Sequence, residues 1–373
     1  MGGIGNPELS KVEFKTTEHI VEELSQIDIS VQRFDGLTGC VGTLKGGKLG
    51  KTVMLRADID ALPIQEANRG EDVSQNKGVM HACGHDCHMA MLLGAAKILK
   101  ACQAELPGTV KFLFQMGEEI GVESRKYIKV GALNGVDALF GMHVWSQLDA
   151  GTANFEIGER MASSDRFEIT VSGKNAYGTQ PQKGCDAILA ASAVISALQA
   201  ITSKMNAPDN TLVVTVGMLD GGAHADFICD EVKLVGTVRT FDKKFRREIP
   251  ARMERIISHV ACAYGCKSVL NYEFLPSPVI NEHRNLVDSA QQAVRNQLGP
   301  NALVPMTKVM GAEDFAEFME KVPAVFGFLG VRNRAKGIVC SQHHPAFRVD
   351  EDVLPAGAAI YSDFARLFLN SKI

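Results

Sequence analysis

Residues 80–96 read M-H-A-C-G-H-D-C-H-M-A-M-L-L-G-A-A. His81, Cys83, His85, Asp86, Cys87 and His88 crowd the first half, and the run then passes directly into apolar, helix-forming residues. The pattern predicts a ligand-dense turn feeding a buried helix that ends near Ala104. Thiolate and imidazole suit borderline-soft divalent ions, and a carboxylate beside an imidazole is the usual partner that fixes its tautomer. The same residues also suit a packed polar helix start. Paired C-x-x-C spacing is missing, which argues against a closed zinc module. A metal site here needs ligands from distant positions.

Such positions recur along the chain. Residues 52–56 read as a buried strand that runs into R-A-D-I-D-A-L-P at 56–63. Polar residues at the C-terminal end of a buried strand are where open α/β sheets place their sites. A second buried strand, 110–115, stops at Met116-Gly117-Glu118-Glu119. Adjacent carboxylates repel unless a cation or a shared proton relieves them. With a metal present they divide labour, one ligating and one moving protons; a solvated acidic turn is the bland alternative. A third strand, 137–142, ends in His143, and Ser341-Gln342-His343-His344-Pro345 precedes a final amphipathic helix at 353–369.

The pattern changes in the middle. A strand at 166–172, an Ala-rich helix at 186–205, strands at 211–219 and 232–239, a helix at 244–264 and a strand at 267–274 follow in order. That order is the ferredoxin-like split unit, expected as an inserted domain at 163–276 between catalytic parts at 1–162 and 277–373. Outside it the pattern predicts a helix at 9–24, strands at 29–33 and 40–44, a helix at 284–298 and a strand at 324–330. A chain of 373 residues is too long for one ordinary core.

Hydrophobic residues make up 46% and charged residues 22%, as in soluble globular proteins. A net charge of −4 gives no electrostatic reason to expect nucleic acid, so a small molecule is the expected partner. No apolar run is expected to reach the roughly 20 residues that span a bilayer, and the N-terminus has no signal-peptide pattern. The expectation is a cytoplasmic protein without a membrane partner. Nine cysteines over this length argue for free thiols, with Cys262 and Cys266 read as small hydrophobes one helical turn apart.

Taken together, R-A-D-I-D-A-L-P, H-A-C-G-H-D, G-E-E, G-M-H-V, G-A-E-D-F and H-H-P-x-F, in this order from about Asn6 to the C-terminus, resemble the amidohydrolase branch of the dinuclear metallopeptidases. That group includes aminoacylases, hippurate hydrolase and plant auxin-conjugate hydrolases. The resemblance implies an α/β, mixed-sheet metallopeptidase-like catalytic domain with an inserted ferredoxin-like α+β lid or dimerisation domain. It implies two divalent ions, zinc or manganese first and cobalt or nickel next, held by Cys83, His85, Glu119, His143 and His343, with Cys83 bridging. Glu118 is the implied general base, Asp58 and Asp86 are supporting acids, and Glu313 lines the site. The implied reaction is hydrolysis of N-acyl amino acids, with dipeptidase or carboxypeptidase activity and a weakly active homologue as alternatives. Nucleophilic catalysis by Cys83 with His85 as base is a further rival, but it leaves Glu118, Glu119 and His343 without a role.

The sequence departs from that family pattern in the inserted segment. Tyr177 stands where a G-K-x-x-H-x-x-x-P motif places a histidine that helps stabilise an oxyanion, and a phenol carries no positive charge at neutral pH. Asp226 stands where asparagine is usual near the substrate carboxylate, and repels an anion unless it is paired, with His224 as the available partner. Arg239 remains to bind a carboxylate. The loop 120–126 is bulkier and more charged than is usual. An exposed sheet edge in the insert is expected to pair with a second copy as a homodimer.

Overall fold

The first helix, α1, spans Phe14–Gln26, starting later than the apolar spacing predicts. Lys11 sits at φ +69, in the left-handed region, and breaks the helical path before Phe14. The Glu8 carboxylate then accepts the Thr16 N–H at 2.8 Å and its hydroxyl at 2.9 Å, satisfying donors that a first turn leaves open.

The computed structural model describes residues 5–70 and 73–371. The chain divides into two units: Met1–Arg160 with Ile280–Thr307 and Glu313–Ile373, and Met161–Val279 with Lys308–Ala312. After α1 come β1 (Ser30–Gln32), β2 (Gly39–Lys45), β3 (Lys48–Asp58), α2 (His85–Ala101), β4 (Pro107–Gln115), α3 (Ser124–Lys129), β5 (Ala138–Asp149), β6 (Ala153–Asn154) and β7 (Gly158–Met161). Next come β8 (Asp165–Ser172), β9 (Ala176–Tyr177), α4 (Ala187–Ala200), β10 (Leu212–Gly221), β11 (Phe227–Ile228), β12 (Glu231–Thr240), α5 (Lys243–Ala263) and β13 (Lys267–Phe274). The last elements are β14 (Val279–Asn281), α6 (Arg284–Leu298), α7 (Phe315–Met319), β15 (Ala324–Arg332) and α8 (Leu354–Asn370).

The first unit is built on a seven-stranded mixed sheet, ordered β1-β2-β4-β3-β5-β15-β6. Strands β4, β3, β5 and β15 run parallel, and β1, β2 and β6 pair antiparallel at the margins. Parallel strands covered on both faces read as continuous apolar runs, which is why 52–56, 110–115 and 137–142 stand out in the sequence. β5 does not stop before His143 as its apolar run suggests. It continues to Asp149 because β15 pairs with it well past that point, Phe328 opposite His143 and Gly330 opposite Trp145.

The second unit is a four-stranded antiparallel sheet ordered β10-β12-β8-β13, the ferredoxin-like arrangement. Phe167, Ile169 and Val171 of β8 share its core with Ala190 and Val194 of α4 and Ile249 and Met253 of α5. The stretch Ala187–Met205, 19 residues with mean hydropathy 1.4, is long and apolar enough to cross a membrane by length and composition, correcting the expectation that no such run exists. Ala190, Val194 and Leu198 are fully buried against the sheet, while Ile188 and Leu189 stay exposed. One face of the stretch thus packs as a core helix does, while only 28% of its most apolar window is buried.

Candidate metal centre

Cys83 and His85 flank Gly84, which precedes α2 with φ +89. A Cβ on Gly84 would lie 2.5 Å from Val144 Cγ2, so only glycine lets this turn seat two ligand residues directly against β5. His143 projects from β5 beside it. Glu118 and Glu119 follow Gly117 (φ +66) in the single turn after β4. His343 arrives from the far end of the chain at φ +63, a conformation that costs a non-glycine residue on the order of 1–3 kcal/mol and clusters at functional sites. Its N–H donates to the Ala82 carbonyl at 2.8 Å, and Gln342 Nε2 donates to the Val144 carbonyl at 2.9 Å. These contacts hold the loop against the Cys83 turn.

The five candidate ligands converge. Cys83 Sγ lies 3.4 Å from His143 Nε2 and 3.3 Å from His343 Nε2. Glu119 Oε1 lies 3.5 Å from His343 Nε2 and 3.9 Å from His85 Nε2. The ligand-type atoms of Cys83, His85 and His143 fall within 4.8 Å of one another, and so do those of Cys83, Glu119 and His343. Two triads thus share one thiol.

Hydrogen bonding fixes the imidazoles for this task. His85 Nδ1 donates to the Asp60 carbonyl at 2.9 Å and lies 3.2 Å from its carboxylate, and His143 Nδ1 donates to the Val144 carbonyl at 2.6 Å. A carbonyl only accepts, so Nδ1 carries a proton in both rings, and Nε2 is the atom left to bind a cation once the ring is neutral. Among the described residues, His85 Nε2 and Glu119 Oε1 are buried without a hydrogen-bond partner. Burial opposes a charge on His85, but Asp58, Asp60 and Glu119 outweigh it and push the imidazole up to about 10. Burial, then Glu119 and Glu118, push the Cys83 thiol well above its usual range. Both shifts express one negative potential that cations relieve. Orphaned donor atoms, fixed tautomers and that potential together fit a pair of divalent ions.

Neighbouring acids are otherwise engaged. Asp58 accepts from His88 Nδ1 at 2.5 Å and from Arg56 at 2.7 Å, while His88 Nε2 accepts the Val144 N–H at 2.9 Å. Asp58 is fully buried and lies 3.7 Å from His85 Nε2. Glu313, expected to line the site, is 1% exposed and ion-paired to Arg56 at 2.9 Å. Asp314 accepts from Gln115 at 2.7 Å and from the Ser124 N–H at 2.9 Å. Asp86 accepts the Cys87 N–H at 2.9 Å, while the carboxylate 3.2 Å from His85 Nδ1 is that of Asp60. Asp60 also accepts the Glu119 N–H at 3.1 Å and the Ser10 hydroxyl at 2.7 Å, so one carboxylate orients two candidate ligands. Sequence reasoning passed over Asp60 and named His88 only as a member of the His/Cys cluster, without a role, although both stand inside the quoted motifs.

The remaining residues singled out in the sequence belong to the second unit. Tyr177 is 51% exposed, pairs with Phe227 across β9 and β11, and packs its ring 5.5 Å from that of Phe227. Asp226 is exposed, and among the described residues no ion pair joins it to His224. Arg239 donates to the Met310 carbonyl at 2.8 Å.

A mixed α/β sheet carrying a shared-thiol, two-triad centre defines a dinuclear metallohydrolase. The chain belongs to peptidase family M20/M25/M40, whose model matches residues 54–367, and it is a metal-dependent hydrolase of amide bonds in the amidohydrolase branch of that family. It is 38% identical over 98% of its length, and 94% of the relative's, to a Bacillus subtilis N-acetylcysteine deacetylase. Identity is 37% to an Arabidopsis thaliana IAA-amino acid hydrolase, covering 98% of this chain and 83% of that one. A Bacillus subtilis dinuclear metal-binding peptidase of the M20 family has a solved structure that superimposes with a TM-score of 0.86 at 36% identity, covering 98% of this chain and 95% of that one.

Proposed function

We propose that this protein hydrolyses the amide bond of N-acyl amino acids, releasing a carboxylic acid and a free amino acid. The observation that carries the proposal is the pair of triads sharing Cys83, with a further carboxyl, Glu118, beside them. When bound, two divalent ions lower the pKa of a water and polarise an amide carbonyl. Cys83, His85, Glu119, His143 and His343 are the residues that hold them. Zinc or manganese is our assignment for the mixed sulfur, nitrogen and oxygen donors, with cobalt or nickel next.

Glu118 takes the proton from the attacking water and returns it to the leaving amine. It is 8% exposed, and Oε1 receives the Asp314 N–H at 3.3 Å, which aims the carboxyl. Burial, then Glu313 and Glu119, push that carboxyl well above the usual range, the direction a general base near neutral pH requires. Arg239 binds the substrate carboxylate, Tyr177 donates to the oxyanion, and Asp226 tunes which amino acid is accepted. The second unit pairs with another copy to form a homodimer. All nine cysteines are free thiols, which supports a reducing compartment such as the cytoplasm.

A second reading has its own support, because a Saccharolobus solfataricus protein named thermostable carboxypeptidase is 36% identical over 98% of this chain. Amine release from N-acetyl, N-benzoyl and indole-acetyl amino acids, set against dipeptides, separates the two. Preference for N-acyl amino acids is expected; cleavage of dipeptides alone would replace the first reading by the second. In the same assay Tyr177→His, which exchanges a neutral donor for one able to carry positive charge, is expected to raise turnover by up to about 100-fold. An unchanged or lower rate would show that the phenol already serves this enzyme's own substrate.

A further inference from the structure

Glu13 is fully buried and contributes nothing to the candidate metal centre. It occupies the position immediately before α1, where a side chain ordinarily turns back to accept N–H groups of the first turn. Glu13 makes no such bond, because Glu8 reaches those donors from upstream. The Glu13 carboxyl turns inward instead, beneath the loop that follows β4. Oε1 accepts the Gly117 N–H at 3.0 Å, and Oε2 accepts the Thr38 hydroxyl at 2.5 Å. Thr38 is held in turn: its carbonyl accepts the Tyr127 hydroxyl at 2.6 Å, and the same hydroxyl accepts the Met116 N–H at 3.2 Å.

One network therefore grips two successive amides, Met116 and Gly117, where the backbone turns at φ +66 into Glu118 and Glu119. A Cβ on Gly117 would lie 2.8 Å from Glu123 Cγ, so the turn is enclosed on its other side as well. Burial is the main cause that pushes the Glu13 carboxyl up to about 7. A buried acid is costly where an apolar side chain of similar volume fills the same space, unless its hydrogen bonds serve a purpose. Here they end on the backbone one residue ahead of Glu118.

We propose that Glu13 is a positioning residue for the hydrolytic reaction, fixing the Gly117 amide and thereby the direction in which the Glu118 carboxyl is presented. The proposal rests on the assignment of Glu118 as base. Misplacing a catalytic group by about 1 Å costs up to roughly 100-fold in rate. Glutamine keeps the geometry, since its carbonyl accepts from Gly117 and its amide donates to the Thr38 hydroxyl.

The test measures kcat, KM, metal content and melting temperature on the metal-loaded full chain. Glu13→Ala is expected to lose about 10- to 100-fold in kcat, with two metals retained and KM within about twofold, and Glu13→Gln to stay within about threefold of the parent. Glu8→Ala is the structural control: it removes contacts at the same helix start and is expected to lower the melting temperature while leaving kcat unchanged. Should Glu13→Ala not fold, Thr38→Val removes one contact to the same carboxyl and is expected to lower kcat severalfold at constant metal content. Full kcat in Glu13→Ala or Thr38→Val, a loss matched by metal loss, a loss equalled by Glu8→Ala, or a glutamine variant as poor as alanine overturns the proposal. Glu118→Ala is run alongside: if that variant keeps full turnover, the base assignment fails independently of Glu13.

Discussion

Glu118→Ala is expected to retain two metal ions per chain and to lose about 100- to 10,000-fold in turnover, the range that a positioned general base contributes. Glu118 lies outside both Cys83 triads, so the donor set survives its removal. Its carboxyl is nonetheless within 4.8 Å of a ring nitrogen of His85 and a Glu119 oxygen, close enough to serve a water held at the centre. Its raised pKa also fixes the sign of the pH dependence. A base works only when deprotonated, so wild-type activity falls as pH drops through the Glu118 pKa, and the residual activity of Glu118→Ala lacks that limb. Steady-state rates with metal analysis on the same sample check this. Full activity in the variant would rule out the mechanism, and loss of both metals would recast Glu118 as a ligand.

Cys83→Ala is expected to have the larger effect on binding. Its sulfur lies 3.4 Å from His143 Nε2 and 3.3 Å from His343 Nε2, so its loss weakens both triads together, whereas His343→Ala touches one. Residues that merely orient metal ligands cost about 10- to 100-fold in affinity or activity; a shared donor should exceed that. Metal content is expected to drop from two per chain to below one, with turnover lost at least about 100-fold. Cys83→Asp supplies another anionic donor and is expected to recover part of the metal. Two tightly held ions in Cys83→Ala would show that the thiol is not shared.

Much of this was legible in the sequence because its chemistry is concentrated. Cys83 with His85, and Glu118 with Glu119, are local clusters whose residue types are hard to explain as scaffold. The parallel strands announce themselves as apolar runs, and the insert by its alternation of strand and helix. What escaped notice depends on pairing across long separations. β5 runs on past His143 only because β15, far along the chain, pairs with it. Periodicity could not say which acid of R-A-D-I-D turns toward His85; the bonds to His85 and the Glu119 N–H select Asp60, while Arg56 and His88 claim Asp58. Glu13 carries no local signal that sets it apart from other charges near an amphipathic helix. Its burial follows from Glu8 serving the helix start and from the loop at Gly117, neither of which a local pattern reveals.

The most direct test is a crystal structure of the metal-loaded protein with anomalous difference maps collected on both sides of the metal's absorption edge. The account predicts two peaks about 3.5–4 Å apart, each about 2.3 Å from Cys83 Sγ if the metal is zinc, with His85 and His143 completing one and Glu119 and His343 the other. A single peak, or two peaks that do not share Cys83, would contradict it.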